Sequence, residues 1–255
     1  MPIAAFDPSL THLGWVIFDE AKTGRESVLE AGVFRTEPSE GLLVQRLIKQ
    51  RTRVAEFLAA KGIKFVTMEA PIWGEFSTEL LFALNQFLHE VFLAQGTFVL
   101  YIQSSTWKKM MFPDMNPQDV TKAHSSHLAK VELDKRGKRF SEHVADAYHL
   151  GKIGHRFHKW YFQKVLKDSD LTPEEWDLFC GKKTFTKGPR KGITEYYGLI
   201  YRENDQFFDF GKRSDRTPKI IEEETKKEIT DGNETSAKGS PKDGHQGYFD
   251  RSRVL

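Results

Sequence analysis

The chain has 255 residues, 39% hydrophobic and 13% aromatic, enough for one ordinary domain with an appendage or for two small ones. A formal net charge of +2 argues neither for nor against a polyanionic partner, so the distribution of charge matters more than its sum. The single cysteine, Cys180, excludes an intrachain disulfide and fits a reducing compartment. No apolar run approaches the ~20 residues that cross a bilayer, and Met1–Phe6 lacks the basic flank of a signal peptide, so the chain reads as soluble and intracellular with no membrane partner.

Residues 2–6 form a short apolar run that Asp7-Pro8 ends, because proline has no N–H for a strand ladder. Residues 13–18 read as a second strand after a tight turn at Ser9–His12, and 28–34 as a third, which predicts an antiparallel meander. The period then changes. Leu43, Leu47, Val54, Phe57 and Leu58 recur at helical spacing over 40–61, and Gly62 is a good stop. Ile63 to Met68 is a buried strand ending at Glu69. Leu80, Leu84, Phe87, Leu88 and Val91 mark a helix over 76–95 with its aromatics in the core, Gly96 ends it, and Thr97–Ile102 is the next strand. The order β-β-β-α-β-α-β predicts that the later strands run parallel through right-handed crossovers. Further on, 117–132 read as helical, Lys135-Arg136-Gly137-Lys138-Arg139 is a basic loop, and Ser141 suits the N-cap of a long helix over 142–166, with Val144, Ala147, Tyr148, Gly151 and Ile153 on its buried face. Residues 1–166 thus form the main domain. An accessory region follows at 167–210, where Thr172 and Pro173 open a short helix and 182–210 suit a small β-structure. Residues 211–255 are polar and almost free of apolar side chains, as in a disordered tail.

Chemistry concentrates at element ends. Asp7 closes the first strand and Glu69 the fourth, while His143 and Asp146, spaced i,i+3, share one face of the long helix near its start. Neighbouring first and fourth strands would let Asp7 and Glu69 converge, with the helix bringing His143 and Asp146 over them. Crowded carboxylates repel and hold protons unless a cation neutralises them. Two divalent cations ~4 Å apart serve both ends of a phosphodiester displacement. Mg²⁺ prefers carboxylate oxygen, and Mn²⁺ also accepts imidazole nitrogen. Singly, an Asp before Pro is usually a turn residue, a strand-ending Glu is usually solvated and an H-x-x-D pair is usually surface. Their coincidence at the expected ends is the signal.

Those residues also carry a resemblance. Ile3-Ala4-Ala5-Phe6-Asp7-Pro8-Ser9-Leu10-Thr11-His12-Leu13-Gly14-Trp15-Val16-Ile17 resembles the opening motif of the RuvC-like Holliday junction resolvases, a strand ending in Asp-Pro-Gly/Ser, then a turn, a Gly and a second strand. Val66-Thr67-Met68-Glu69-Ala70-Pro71 resembles the family's second motif. Glu142-His143-Val144-Ala145-Asp146-Ala147-Tyr148-His149-Leu150-Gly151 is similar to its third, and Ser104-Ser105-Thr106-Trp107-Lys108-Lys109 to the segment that carries a lysine pair. The likeness covers about residues 1–165. It implies an α/β, ribonuclease H-like mixed five-stranded sheet flanked by helices. It also implies a homodimer that cleaves branched DNA, with Asp7, Glu69, His143 and Asp146 as catalytic and metal-holding residues for two Mg²⁺ or Mn²⁺ ions and no small-molecule cofactor. The family's aromatic, three residues after the Glu, is replaced here by Ile72; Trp73 follows and is the candidate for that job. His143 stands where Asp is also found. Residues 167–255 match nothing in the family, and the compact core with an unmatched appendage is compatible with a viral or phage enzyme.

Lys108 and Lys109 are candidates to neutralise phosphates. Lys135, Arg136, Lys138 and Arg139 are candidates for DNA contact, since an acidic site must still attract a polyanion. Lys182, Lys183, Lys187, Arg190 and Lys191, with Phe185, Tyr196 and Tyr197, form a weaker candidate surface. His124, His127, His149, His155 and His158 lack the paired-ligand pattern of a zinc site, and His155 and His158 read as lying on a polar helix face. The competing readings are a ribonuclease H-like nuclease acting on RNA or on single-stranded or flap DNA, a non-catalytic DNA-binding protein on the same core, and an actin-like ATPase. The chain has no room for the second copy of the fold that the last requires.

Overall fold

The computed structural model describes residues 1–70, 79–133 and 141–180, and beyond them 182–184, 186–188, 191–192, 194–196, 198–201, 207–209 and 219–220. The elements, in chain order, are β1 (Pro2–Asp7), β2 (His12–Asp19), β3 (Val28–Arg35), α1 (Leu43–Lys61), β4 (Phe65–Glu69), α2 (Glu79–Ala94), β5 (Phe98–Ile102), α3 (Ser104–Met111), α4 (Lys122–Glu132), α5 (Glu142–Tyr161), α6 (Pro173–Cys180), β6 (Lys182–Thr184), β7 (Thr194–Tyr196), β8 (Gly198–Tyr201), β9 (Phe207–Asp209) and β10 (Lys219–Ile220).

The meander β1-β2-β3 is antiparallel, and β4 and β5 join it in parallel, so the order runs β3-β2-β1-β4-β5. This is the ribonuclease H-like mixed sheet that the sequence led one to expect. The sheet does not stop there. β8 pairs antiparallel with β5, and β9 and β10 continue outward, while β6 and β7 form a separate ribbon. Part of the region read as an accessory unit therefore extends the main sheet, and within the stretch read as polar tail the residues Lys219–Ile220 form a strand. A parallel edge strand such as β5 exposes unpaired backbone groups, and β8 covers them.

Strand parity sorts the core. Ile3 and Ala5, Val16 and Phe18, Phe65, and Leu100 and Ile102 face α5 with α3, α4 and α6 nearby. Ala4 and Phe6, Leu13 and Ile17, Val66 and Met68, and Val99 and Tyr101 face α1 and α2. Both faces are covered, which is why β1 is apolar at successive positions rather than alternating.

Helix boundaries follow local chemistry. The stretch 40–61 becomes helical only at Leu43, because Pro38–Glu40 form a 3₁₀ turn and Gly41 takes φ 118°. It stops at Gly62, whose left-handed φ of 63° suits glycine. Helix α4 begins at Lys122 rather than near 117, after turns and Pro117. Ser141 takes the N-cap position of α5 without a side-chain bond, and the helix ends at Tyr161 rather than at 166. Thr172 does cap α6, with Glu175 N–H donating to its Oγ1 at 3.1 Å.

His155 and His158 do not lie on a polar face. Both are buried, as is His149. Helix α5 crosses the sheet with other helices packed about it and with the segment after β2 folded over its second half, so little of it faces water. His155 Nε2–H donates to the Asp19 carbonyl at 3.0 Å, and Lys159 Nζ donates to the Lys22 carbonyl at 2.6 Å. Among the described residues, no helix is long and apolar enough to cross a membrane.

Candidate active site

Parity sends the two strand-end acids to the same side. Ile3, Ala5 and Asp7 alternate onto the α5 face, as do Phe65, Thr67 and Glu69. The parallel β1–β4 register pairs Ala5 with Thr67 and Phe6 with Met68, so one step further sets Asp7 level with Glu69. Above them runs the start of α5. It comes so close to β2 that a Cβ on Gly14 would lie 2.2 Å from the His143 carbonyl oxygen. Further along, a Cβ on Gly154 would lie 1.7 Å from Thr67 Oγ1. Two glycines, one on the strand and one on the helix, thus let α5 lie against the sheet, and that approach lowers His143 onto Asp7.

Asp7, Glu69, His143 and Asp146 all line one pocket of ≈ 730 Å³. Its walls are the β1–β2 turn (Pro8, Ser9, Leu10, Thr11), the start of α3, and the segment from Gln118 into α4. The turn is held from beneath by Gln50 of α1, fully buried, whose Nε2 donates to the Leu10 carbonyl at 2.8 Å and the Ser9 carbonyl at 3.2 Å.

Each acid has one oxygen engaged by the chain. His143 Nδ1–H donates to Asp7 Oδ2 at 2.7 Å, Trp107 Nε1–H donates to Glu69 Oε2 at 3.1 Å, and Ser125 Oγ–H donates to Asp146 Oδ1. Among the described residues, the second oxygen of each carries no hydrogen bond and remains available. Proton affinities are raised together. Burial, and then the charge of Asp7, push Glu69 up to about 7; burial, and then Asp7, push Asp146 up to about 6. Burial also raises Asp7, opposed by its bond to His143. Among the described residues no three of these groups stand close enough to enclose an ion as they are. The donor set nonetheless fits a hard divalent cation: three carboxylates, each with a free oxygen and each carrying charge at a cost that a cation would remove.

Lysines complete the rim. Lys108 lines the pocket with its ammonium 5.8 Å from the Trp107 ring centroid, whereas Lys109 is exposed on α3 and is not part of the lining. Lys122, which the sequence did not single out, lines the pocket from the start of α4 and holds Glu142 at 2.6 Å. Trp107 and Ser125 were also missed as carboxylate partners. Trp107 had a signal, since it stands next to Lys108 directly after a strand; Ser125 had none. His12 stacks on His143, with ring centroids 5.9 Å apart and planes 8° off parallel. Trp73, Lys135, Arg136, Lys138 and Arg139 lie outside the described residues. Of the second basic patch, Lys187 and Lys191 are exposed and the side chains of Lys182, Lys183, Phe185, Arg190, Tyr196 and Tyr197 lie outside the described set.

No protein-family model matches the chain, and no curated protein matches it. Among solved structures it is similar to a structure of Thermus thermophilus RuvC, with 19% identity over 65% of this chain and 97% of that one at a TM-score of 0.49. It is likewise similar to T. thermophilus RuvC in complex with Holliday junction substrate, with 20% identity over 64% of this chain and 96% of that one at a TM-score of 0.47. At these values neither likeness adds to what the sheet topology already establishes about the fold.

Proposed function

We propose that the chain is a metal-dependent endonuclease that cleaves branched DNA, four-way junctions above all, by phosphodiester hydrolysis. One observation carries the nuclease reading. Three carboxylates from distant segments, Asp7, Glu69 and Asp146, line one pocket, each with an oxygen that carries no hydrogen bond among the described residues, and two lysines also line it. Asp7, Glu69, His143 and Asp146 would hold two Mg²⁺ or Mn²⁺ ions. When bound, such ions supply the charge that activates water and stabilises the leaving oxygen. Lys108 and Lys122 bind phosphate oxygens at the rim, which lets a polyanion approach an acidic site. His143 fixes the orientation of the Asp7 carboxylate, and the Gln50-held turn gives the scissile strand a rigid wall.

The choice of branched DNA rests on the ordered resemblance of the three motifs. By the same reasoning Trp73 opens the junction, and Lys109, Lys135, Arg136, Lys138 and Arg139 contact backbone phosphates. A four-way junction has two equivalent scissile strands, and a twofold homodimer presents two equal sites to them. Helices α1 and α2 are the candidate interface, where Val44, Ile48 and Leu80 are exposed.

The test is to incubate the full chain with labelled four-way junction, duplex, flap and single-stranded DNA and an RNA hairpin, with Mg²⁺ or with chelator. The expected result is metal-dependent paired nicking of the junction, abolished in Asp7→Asn and Glu69→Gln while junction binding survives. Cleavage of the RNA hairpin alone would move the reading to an RNA nuclease. Binding without cleavage of any substrate, or cleavage in excess chelator, would overturn it.

A further inference from the structure

On the α3–α4 side of the pocket, three buried side chains from three helices form one connected unit. Trp107 (α3) and Ser125 (α4) each donate to a site carboxylate, the first to Glu69 and the second to Asp146. Both are almost wholly buried, so each bond is made where competing water is scarce. His149, fully buried one turn after Asp146 on α5, joins them. Its Nε2–H donates to the Ser125 carbonyl at 3.0 Å, and its ring stacks on Trp107 with centroids 5.9 Å apart and planes 15° off parallel. Burial holds the imidazole neutral, its pKa pushed down to about 4, so it carries a single ring N–H, and that N–H is the one donated to the Ser125 carbonyl. Among the described residues Nδ1 is left buried without a hydrogen-bond partner. Packing alone requires no nitrogen at this position, whereas the bond to the Ser125 carbonyl uses one.

We propose that Trp107, Ser125 and His149 are positioning residues. Trp107 and Ser125 set the free oxygens of Glu69 and Asp146 for a divalent cation, and His149 couples the two by fixing α4 against the Trp107 ring. The two carboxylates come from a strand and a helix with no covalent connection nearby, and this unit is what gives them a common reference. The inference rests on the metal-dependent reading of the pocket. It adds that the precision of the pocket is set on its α3–α4 side, rather than by the carboxylates alone.

The test measures Mn²⁺ binding to the full chain by calorimetry and by electron paramagnetic resonance, with junction kinetics alongside. Outer partners of metal ligands typically account for about 10–100-fold in affinity or activity. Ser125→Ala and Trp107→Phe are each expected to weaken Mn²⁺ binding by about that factor and to lower kcat with KM for the junction unchanged, while Ser125→Thr, which keeps the hydroxyl, restores binding. His149→Phe is expected to weaken Mn²⁺ binding in the wild-type background and to weaken it by a smaller factor in Ser125→Ala, because the part of its effect that runs through the Ser125 hydroxyl is then already lost and only the part through Trp107 remains. If Ser125→Ala does not fold, Trp107→Phe decides. Wild type that binds Mn²⁺ beside folded variants that bind it equally well would overturn this inference alone. Wild type that binds no Mn²⁺ would overturn the metal reading and this inference with it.

Discussion

Glu69→Gln separates the cost of the site from its use. In the metal-free chain, burial and the charge of Asp7 raise Glu69 from 4.5 to about 7. The folded state therefore holds this proton more tightly than the unfolded state. The two states agree below pH ~4.5, the folded state loses stability as pH rises from there, and the loss levels off above pH ~7. A shift of that size corresponds to about 3 kcal/mol at pH 8, at roughly 1.4 kcal/mol per unit. Glu69 keeps contact with the open pocket, and solvent screening reduces the expected loss to roughly 1–2 kcal/mol. Glutamine keeps the shape and can still accept from Trp107 Nε1, but carries no charge. Glu69→Gln should thus be more stable than wild type by roughly 1–2 kcal/mol at pH 8 in chelator, by much less at pH 5, and inactive at both. Urea unfolding at the two pH values measures this. A gain of equal size at pH 5 and pH 8, or a loss at pH 8, would refute the account of a charge held at a cost.

Other outcomes follow from the same geometry. Gly14→Ala drives a Cβ into the His143 backbone, so it should cost about 1–3 kcal/mol as an overpacked contact and reduce cleavage more than junction binding, measured by unfolding and single-turnover rates. His143→Ala should impair cleavage severely with junction binding kept, whereas His143→Asp should retain substantial activity; wild-type rates in His143→Ala would remove His143 from the site. Lys122→Ala should weaken junction binding and flatten its salt dependence by about one counterion, read from binding isotherms across ionic strength. A chain ending after residue 221, which keeps β10, should retain junction cleavage within a few-fold.

Much of this protein is local and was legible as such. Asp7 and Glu69 were read at the ends of their strands, because the close of an apolar run is visible in the chain itself, whereas the β1–β4 register that sets them level is not. Gly62 and Gly96 closed their helices, because a left-handed residue at a helix end is a local preference, and the i,i+3 spacing of His143 and Asp146 put them on one side of α5. What could not be read is what depends on distant segments meeting. His155 and His158 looked like polar-face residues and are buried, because other helices and the segment after β2 cover α5, and helical periodicity says nothing about how many neighbours a helix has. Lys122 and Ser125 reach the pocket only because α4 packs against α5, and Trp107 reaches Glu69 across 38 positions of chain. β8 joins the sheet at β5, although 96 positions separate Gly198 from Ile102, because an open parallel edge is satisfied by whatever strand arrives there. Short-range pattern determines which groups a chain offers to its neighbours; only the closed fold determines which neighbours accept them.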